Sequence, residues 1–254
     1  MPSYSMKLRS LILVGLLSAI VFAIALFPAG LAWKMASGSL AGLPVTVERV
    51  GGTVWNGFMV GRLNNPVLRG PIVVDWRLKG LRILLGEIAV GLRVEGNAYR
   101  LEGGGHWGLW GKGLSDVDGD LQAQLLDQSL RQFGFSAGGV LTLRDVSANL
   151  SGQRITKGEG EISWSGGEIN APGSGANGPI IYPPVLGTLE ETEGALLISV
   201  KETESNLPLG ELSLMPEKNL GSVKVLQRVI SLAGMGDGGD DDKVMLNMQQ
   251  PLPF

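Results

Sequence analysis

PIVVDWRLKGLRILLGEIAVGLRVEG, residues 71–96, sets the fold class. In its first arm Ile72, Val74, Trp76 and Leu78 share one face, while Asp75 and Arg77 point the other way. In its second arm Ile88, Val90, Leu92 and Val94 repeat the pattern against Arg93 and Glu95. Alternation with a period of two is the signature of a strand buried on one side only. Such strands belong to antiparallel sheets with one apolar face. Between the arms, LKGLRILLG leaves room for about one helical turn.

The same period recurs elsewhere. Near the C-terminus Val244, Leu246 and Met248 alternate with Lys243, Asn247 and Gln249. In GVLTLRDVSANLSG the apolar phase slips, with Leu141 and Leu143 on one parity and Val146, Ala148 and Leu150 on the other. A bulge or turn near Arg144–Asp145 accounts for that slip. Helical spacing is rarer. SVKVLQRVISLAG, with Val223, Leu226 and Ile230 in phase and Gly234 as a stop, predicts one helix, and LQAQLLDQSLRQFGF a weaker second. The expected architecture is mainly β: an N-terminal transmembrane helix, then a curved antiparallel sheet, half-barrel or sandwich-like, with two or three short helices. The Gly/Pro-rich segment at residues 170–184 reads as a long loop that divides two lobes or is an excursion from one sheet.

The N-terminus carries a different signal. LILVGLLSAIVFAIALFPAGLAW, residues 11–33, has no charged residue, and about 20 apolar residues in a helix cross a bilayer core. Lys7 and Arg9 precede it, which by the positive-inside rule places residues 1–10 in the cytoplasm. Residues 34–254 are then expected on the other side, as a β-rich domain. The run exceeds the apolar core of a cleaved signal peptide, so an uncleaved anchor is expected.

Composition narrows the function. All 24 acidic residues lie beyond residue 32, where they outnumber the basic ones. That balance offers no electrostatic footprint for nucleic acid. There is no cysteine, and His106 is the single histidine. Disulfides, thiol chemistry and multi-histidine metal sites are therefore excluded. No nucleophile elbow, phosphate-binding loop or metalloprotease helix occurs. His106 in GGGHWGLWGKG has no local nucleophile or carboxylate to work with. The run GDGGDDDK, residues 236–243, offers Asp237, Asp240, Asp241 and Asp242, but it lacks the ligand order of a calcium loop and reads as a solvated connection. Glu159 and Glu161 share one strand face and do not make a catalytic pair with each other. No catalytic residue, metal or cofactor is expected.

GGTVWNGFMV, residues 51–60, reads as a hairpin: Asn56-Gly57 suits a type I′ turn, with Trp55 ending the incoming strand and burying its ring against the sheet. A structural role is expected for Gly52, Thr53, Trp55, Asn56 and Gly57. The apolar face formed by Ile72, Val74, Trp76, Ile88, Val90 and Leu92 must be covered by protein or by lipid. An open groove for acyl chains is the alternative to a closed core.

Four pieces in order resemble the type II secretion system protein N family of Gram-negative bacteria. After the N-terminal anchor come GGTVWNGFMVGRL, VVDWRLKGLRILLGEI with Trp76, GEGEISWSGGEI with Trp164, and the ending VLQRVISLAGMGDGGDDDKVMLNMQQPLPF. The resemblance implies a non-enzymatic, single-pass inner-membrane protein with a periplasmic domain. It would assist the apparatus that exports folded proteins across the outer membrane, with other inner-membrane subunits as partners. The layout is also similar, at the level of fold, to AsmA-like envelope proteins, whose curved sheets form apolar grooves. That similarity implies phospholipid as a ligand and a lipid-binding or lipid-transfer role as the alternative function.

Overall fold

A computed structural model describes residues 4–38, 44–64, 69–126, 136–170, 180–234 and 238–252, with the side chains of the first helix described from Ile12 onward. Helix α1 spans Tyr4–Ala25 and α2 spans Ala29–Ala36. A single sheet of thirteen strands follows, in the order β1-β2-β3-β4-β5-β6-β8-β9-β12-β13-β14-β15-β16, every neighbour antiparallel, with β6 at Gly111–Gln122 and β13 at Ala195–Glu202. The sheet is open: β1 (Val45–Gly52) and β16 (Val244–Pro251) are its edges. A second sheet is small, three strands in the order β11 (Ile180–Tyr182), β10 (Gly167–Asn170), β7 (Ser136–Ala137). The mainly β, antiparallel expectation therefore holds, as one large open sheet and not two equal layers of a sandwich.

Residues 71–96 form β3 (Arg69–Leu78), the one-turn helix α3 (Gly80–Ile83) and β4 (Glu87–Gly96), as their alternation requires. The phase slip in β8 (Val140–Ser151) is a register shift between Arg144 and Ser147 against β9 (Arg154–Trp164), with Asp145 at φ 50°. The sheet also crosses the Gly/Pro-rich segment unbroken, since β9 pairs directly with β12 (Val185–Thr192). Residues 171–179 of that segment lie outside the described residues.

Two helical expectations need correction. Leu220–Leu226 is strand β15, and only Arg228–Leu232 is helical, as α4. Val223 and Val225 satisfy period two as well as Val223, Leu226 and Ile230 satisfy a helix, and pairing with β14 (Pro208–Met215) and β16 decides between them. The second candidate helix contributes a 3-10 turn at Ala123–Leu126; its residues 127–135 are not among those described.

The uncharged run Leu11–Trp33 is likewise not one helix. α1 stops at Ala25, and Pro28, extended at ψ 132°, precedes α2. Proline disfavours helical geometry in the residue before it, so a helix ends there. Among the described residues no helix is long and apolar enough to cross a membrane.

Buried residues are few and scattered for so large a sheet. One cluster joins Ile155, Leu189 and Leu196 with Val146, Leu150, Ile162 and Ile198. Cross-strand ion pairs such as Arg93–Glu102 and Arg100–Glu95 lie on the polar face, where exposure leaves each little weight.

The acidic loop has a definite job. Arg228, almost fully buried, donates from Nη1 to the Pro208 carbonyl and from Nη2 to Asp242 Oδ1, both at 2.7 Å. Ser231 Oγ donates to Asp241 Oδ1, and the backbone N–H of Asp242 donates to Asp240 Oδ1. The Arg228 N–H reaches the Asp241 carbonyl, so the loop clamps α4 to the start of β16. The loop is the largely exposed connection expected, and its carboxylates also answer to protein donors. Arg228→Ala is expected to cost about 2 kcal/mol, the scale of hydrogen bonds from a charged donor. Asp242→Asn, whose partner carboxylate is exposed, should cost less than about 1 kcal/mol. Urea midpoints of the two variants test that ranking.

Candidate functional site

Antiparallel turns alternate between the two ends of a sheet, so the order of strands fixes which connections lie together. One end carries residues 53–55, 79–86, 109–110, 152–153 and 193–194, followed by the β14–β15 connection. At the first of these, α1 meets the sheet.

The meeting is built from the WNG segment. The Trp55 indole N–H donates to the Ile24 carbonyl at 2.8 Å, and the Val54 N–H donates to the Phe27 carbonyl at 3.0 Å. The last carbonyls of a helix have no partner within it, and here the sheet supplies donors to Ile24 and, just beyond the helix, to Phe27. Pro28 forms a β-bridge with Thr53. Ile20, Ala23, Ile24 and Phe27 line an apolar hollow with Val54 and Trp55. From the other side the Trp76 indole N–H donates to the Val54 carbonyl at 2.9 Å, and the Leu78 N–H to the Trp55 carbonyl at 2.7 Å. Two tryptophans thus pin one loop, Trp55 toward the helix and Trp76 from the sheet.

This geometry replaces the expected type I′ turn. Gly52 pairs with Gly57, and both Asn56 and Gly57 already belong to β2 (Asn56–Asn64). The loop is closed by Thr53 and Asn56: Thr53 N–H donates to the Asn56 carbonyl at 2.9 Å, and Asn56 N–H to Thr53 Oγ1 at 3.1 Å. Gly52 holds the positive φ, 79°. Gly57 is required for a different reason. A Cβ there would lie 2.6 Å from Trp76 Cζ2, 2.7 Å from the Gly51 carbonyl and 2.8 Å from that of Thr53. The structure thus brings Gly52, Thr53, Trp55, Asn56, Gly57 and Trp76 into one joint.

Trp164 stands apart, at the opposite end of β9. Its indole N–H donates to the Gly138 carbonyl at 2.9 Å, and its ring lies 5.9 Å from that of Tyr182. The Tyr182 hydroxyl donates to the Val229 carbonyl, and burial pushes its ionisation up to about 12. Trp164 therefore repeats, at the small sheet, what Trp55 and Trp76 do at the helix: an indole N–H fixed on a backbone carbonyl.

The apolar face is continuous. Residues directly opposite in neighbouring strands share a face. Starting at Val50, one register row reads Met59, Val74, Val94, Leu101, Gly119, Leu143, Ile162, Gly187, Val200, Gly210, Val225 and Leu246. No polar side chain interrupts it across all thirteen strands. The adjacent row on the other face starts with Gly51 and Phe58 and then turns charged, with Asp75, Arg93, Glu102 and Asp118. The six residues expected to form a groove sit on the apolar face, but unequally covered. Ile72 is buried, Val74, Trp76 and Val90 are half-buried, and Ile88 and Leu92 are 56% and 39% exposed. Their row-mates across the sheet are mostly half-buried too.

His106 lies on β5 (Tyr99–Gly108) between Ala89 and Gly113, which bring neither nucleophile nor carboxylate. Among the described residues no group of acidic or histidine side chains is arranged to hold a metal.

The family model for type II secretion system (T2SS) protein N matches residues 44–228, from just before β1 to the start of α4. The chain belongs to the T2SS protein N family. No curated protein and no solved structure gives a significant match. The match covers the WNG joint and most of the sheet, and it assigns the chain to a component of the type II secretion apparatus.

Loss of the joint should be measurable residue by residue. Gly57→Ala meets backbone carbonyls that cannot step aside, and overpacking of this kind costs about 1–3 kcal/mol. Trp55→Phe keeps an aromatic ring but drops one hydrogen bond, worth about 1 kcal/mol. Hydrogen exchange should accelerate at the Val54 amide in both variants, and the urea midpoint should fall further for Gly57→Ala.

Proposed function

We propose that the chain is a non-enzymatic, single-pass inner-membrane member of the secretion apparatus, with a cytoplasmic N-terminus and a periplasmic sheet. It assists assembly of that apparatus or keeps it assembled, in contact with other inner-membrane subunits. The observation that carries this reading is the joint at Trp55, whose sheet side lies inside the region the family match covers and which welds the sheet to a helix that, from Ile12 to Ala25, is apolar but for Ser18. From Ile12 to Phe22 those side chains lie mostly exposed, which suits lipid and not water. The uncharged run and the leading Lys7 and Arg9 support the orientation. The open edge at β16, exposed along its whole length, offers backbone groups to which a partner's strand can add. Deleting the gene should lower export of folded proteins and reduce recovery of the inner-membrane subcomplex from detergent extracts. Unchanged export together with an intact subcomplex would refute the reading.

A second reading, lipid binding or transfer, draws on the uninterrupted apolar row. A row that crosses thirteen strands half-covered can hold acyl chains along its length. A photo-crosslinking residue at Val94, on that row, should capture phospholipid in cells, whereas one at Arg93, on the other face, should not. Equal labelling at both positions would sink it.

A further inference from the structure

The end of the sheet that holds α1 carries a second feature that the joint does not use. Two neighbouring connections there are apolar and exposed: Leu84 is 83% exposed in the β3–β4 connection, while Leu109 and Trp110 are 84% and 81% exposed in the β5–β6 turn. Leu81, Leu85 and Trp107 are exposed beside them. The two connections touch, since the Leu109 N–H donates to the Gly86 carbonyl. Burying nothing in the protein, so many large side chains together mark a contact surface.

Position says which contact. In strand order these connections directly follow the loop at residues 53–55 that receives α1. Farther along the same end, the turns become polar: Gly152-Gln153 and Glu193-Gly194. At the opposite end, the β4–β5 turn is Asn97-Ala98. Among the described connections, the most exposed apolar tips are thus concentrated where the helix meets the sheet, while at the opposite end Leu207 is 44% exposed. Their chemistry suits the boundary of a bilayer, where tryptophan places an apolar ring and a polar N–H at headgroup level. Lys79 and Lys112 sit next to them with stems long enough to reach phosphates, while Arg82 Nη1 donates to Glu87 Oε1 at 2.8 Å.

We propose that residues 81–85 and 107–110 dip into the membrane interface beside α1, so that the sheet stands on the bilayer on three adjacent connections. The occupant of this surface is lipid, and the inference rests on α1 being a membrane anchor. The apolar face runs into the same tips, because Ile88 pairs with Trp107 and both are exposed. Its near end therefore opens toward lipid.

The test uses the full chain in vesicles of phosphatidylethanolamine and phosphatidylglycerol. With no native cysteine, single spin labels can be placed by Leu84→Cys, Trp110→Cys, Leu17→Cys in α1 and Asn97→Cys at the far end. Collision with oxygen, which dissolves in lipid, is compared with collision with a water-soluble nickel chelate. The labels at 84 and 110 should shift from the ratio read at 97 toward that read at 17. If 17 reads as lipid while 84 and 110 read as water, the tips serve a protein partner or none, and this proposal falls alone. If 17 itself reads as water, the anchor reading falls and takes this one with it.

Discussion

The constraint behind this structure is a sheet with one apolar face that the described residues cover only in part. Period-two alternation commits strand after strand to the same side. A single register row then collects thirteen residues, from Val50 to Leu246, without a polar member. A globular protein would fold a second layer over such a face. The described second layer here is three short strands and a few helical turns, placed around Trp164 and Tyr182. The face is consequently screened by its own side chains and by the bends that bulges introduce, which is why half-burial is its commonest state. Stability must come largely from strand pairing and local clusters such as that around Leu189.

The joint at residues 51–57 is where this sheet acquires a direction. A hairpin tip ordinarily has no neighbours, and its shape is set by its own turn residues. Here Trp55 is turned outward to the end of α1, and Trp76 replaces it beneath the loop. Thr53 closes the loop because it can accept from the Asn56 N–H while its own N–H donates back. Each partner is local to a different element, and only together do they hold the helix against the first turn of the sheet. The GGTVWNG stretch, within the family match, thus coincides with a mechanical part.

Much of the architecture was legible because it depends on short-range pattern. β3, α3 and β4 follow from residues 71–96 alone, and the slip near Arg144–Asp145 appears in both sequence and register. What failed did so where distant partners decide. Asn56-Gly57 has strong local preference for a two-residue turn, yet contacts with Ile24, Phe27 and Trp76 impose a wider loop. Val223 and Val225 fit two periods equally, and β14 and β16 choose the strand. Arg228 gave no local sign that it would organise an acidic loop, because its acceptors come from Pro208 and Asp242. The exposed tips at Leu84 and Trp110 had a signal that was passed over: large apolar residues inside connections, where polar ones are the rule.

Those tips also bear on what the family architecture can do. A sheet hung from one helix by a single joint would be free to tilt, and its apolar face would point anywhere. In the proposed arrangement three adjacent contacts, the helix and two apolar connections, would remove that freedom. The strands would then rise from the bilayer with their alternation intact, apolar on one side and charged on the other. A component that must present an open strand edge such as that of β16 at a fixed height above the membrane would gain from being held this way. So would one that must receive an acyl chain, because Ile88 and Trp107 would then put the lower end of the apolar face at the lipid boundary. Secretion partner and lipid ligand would meet the protein on different features: an edge in the first case, a face in the second.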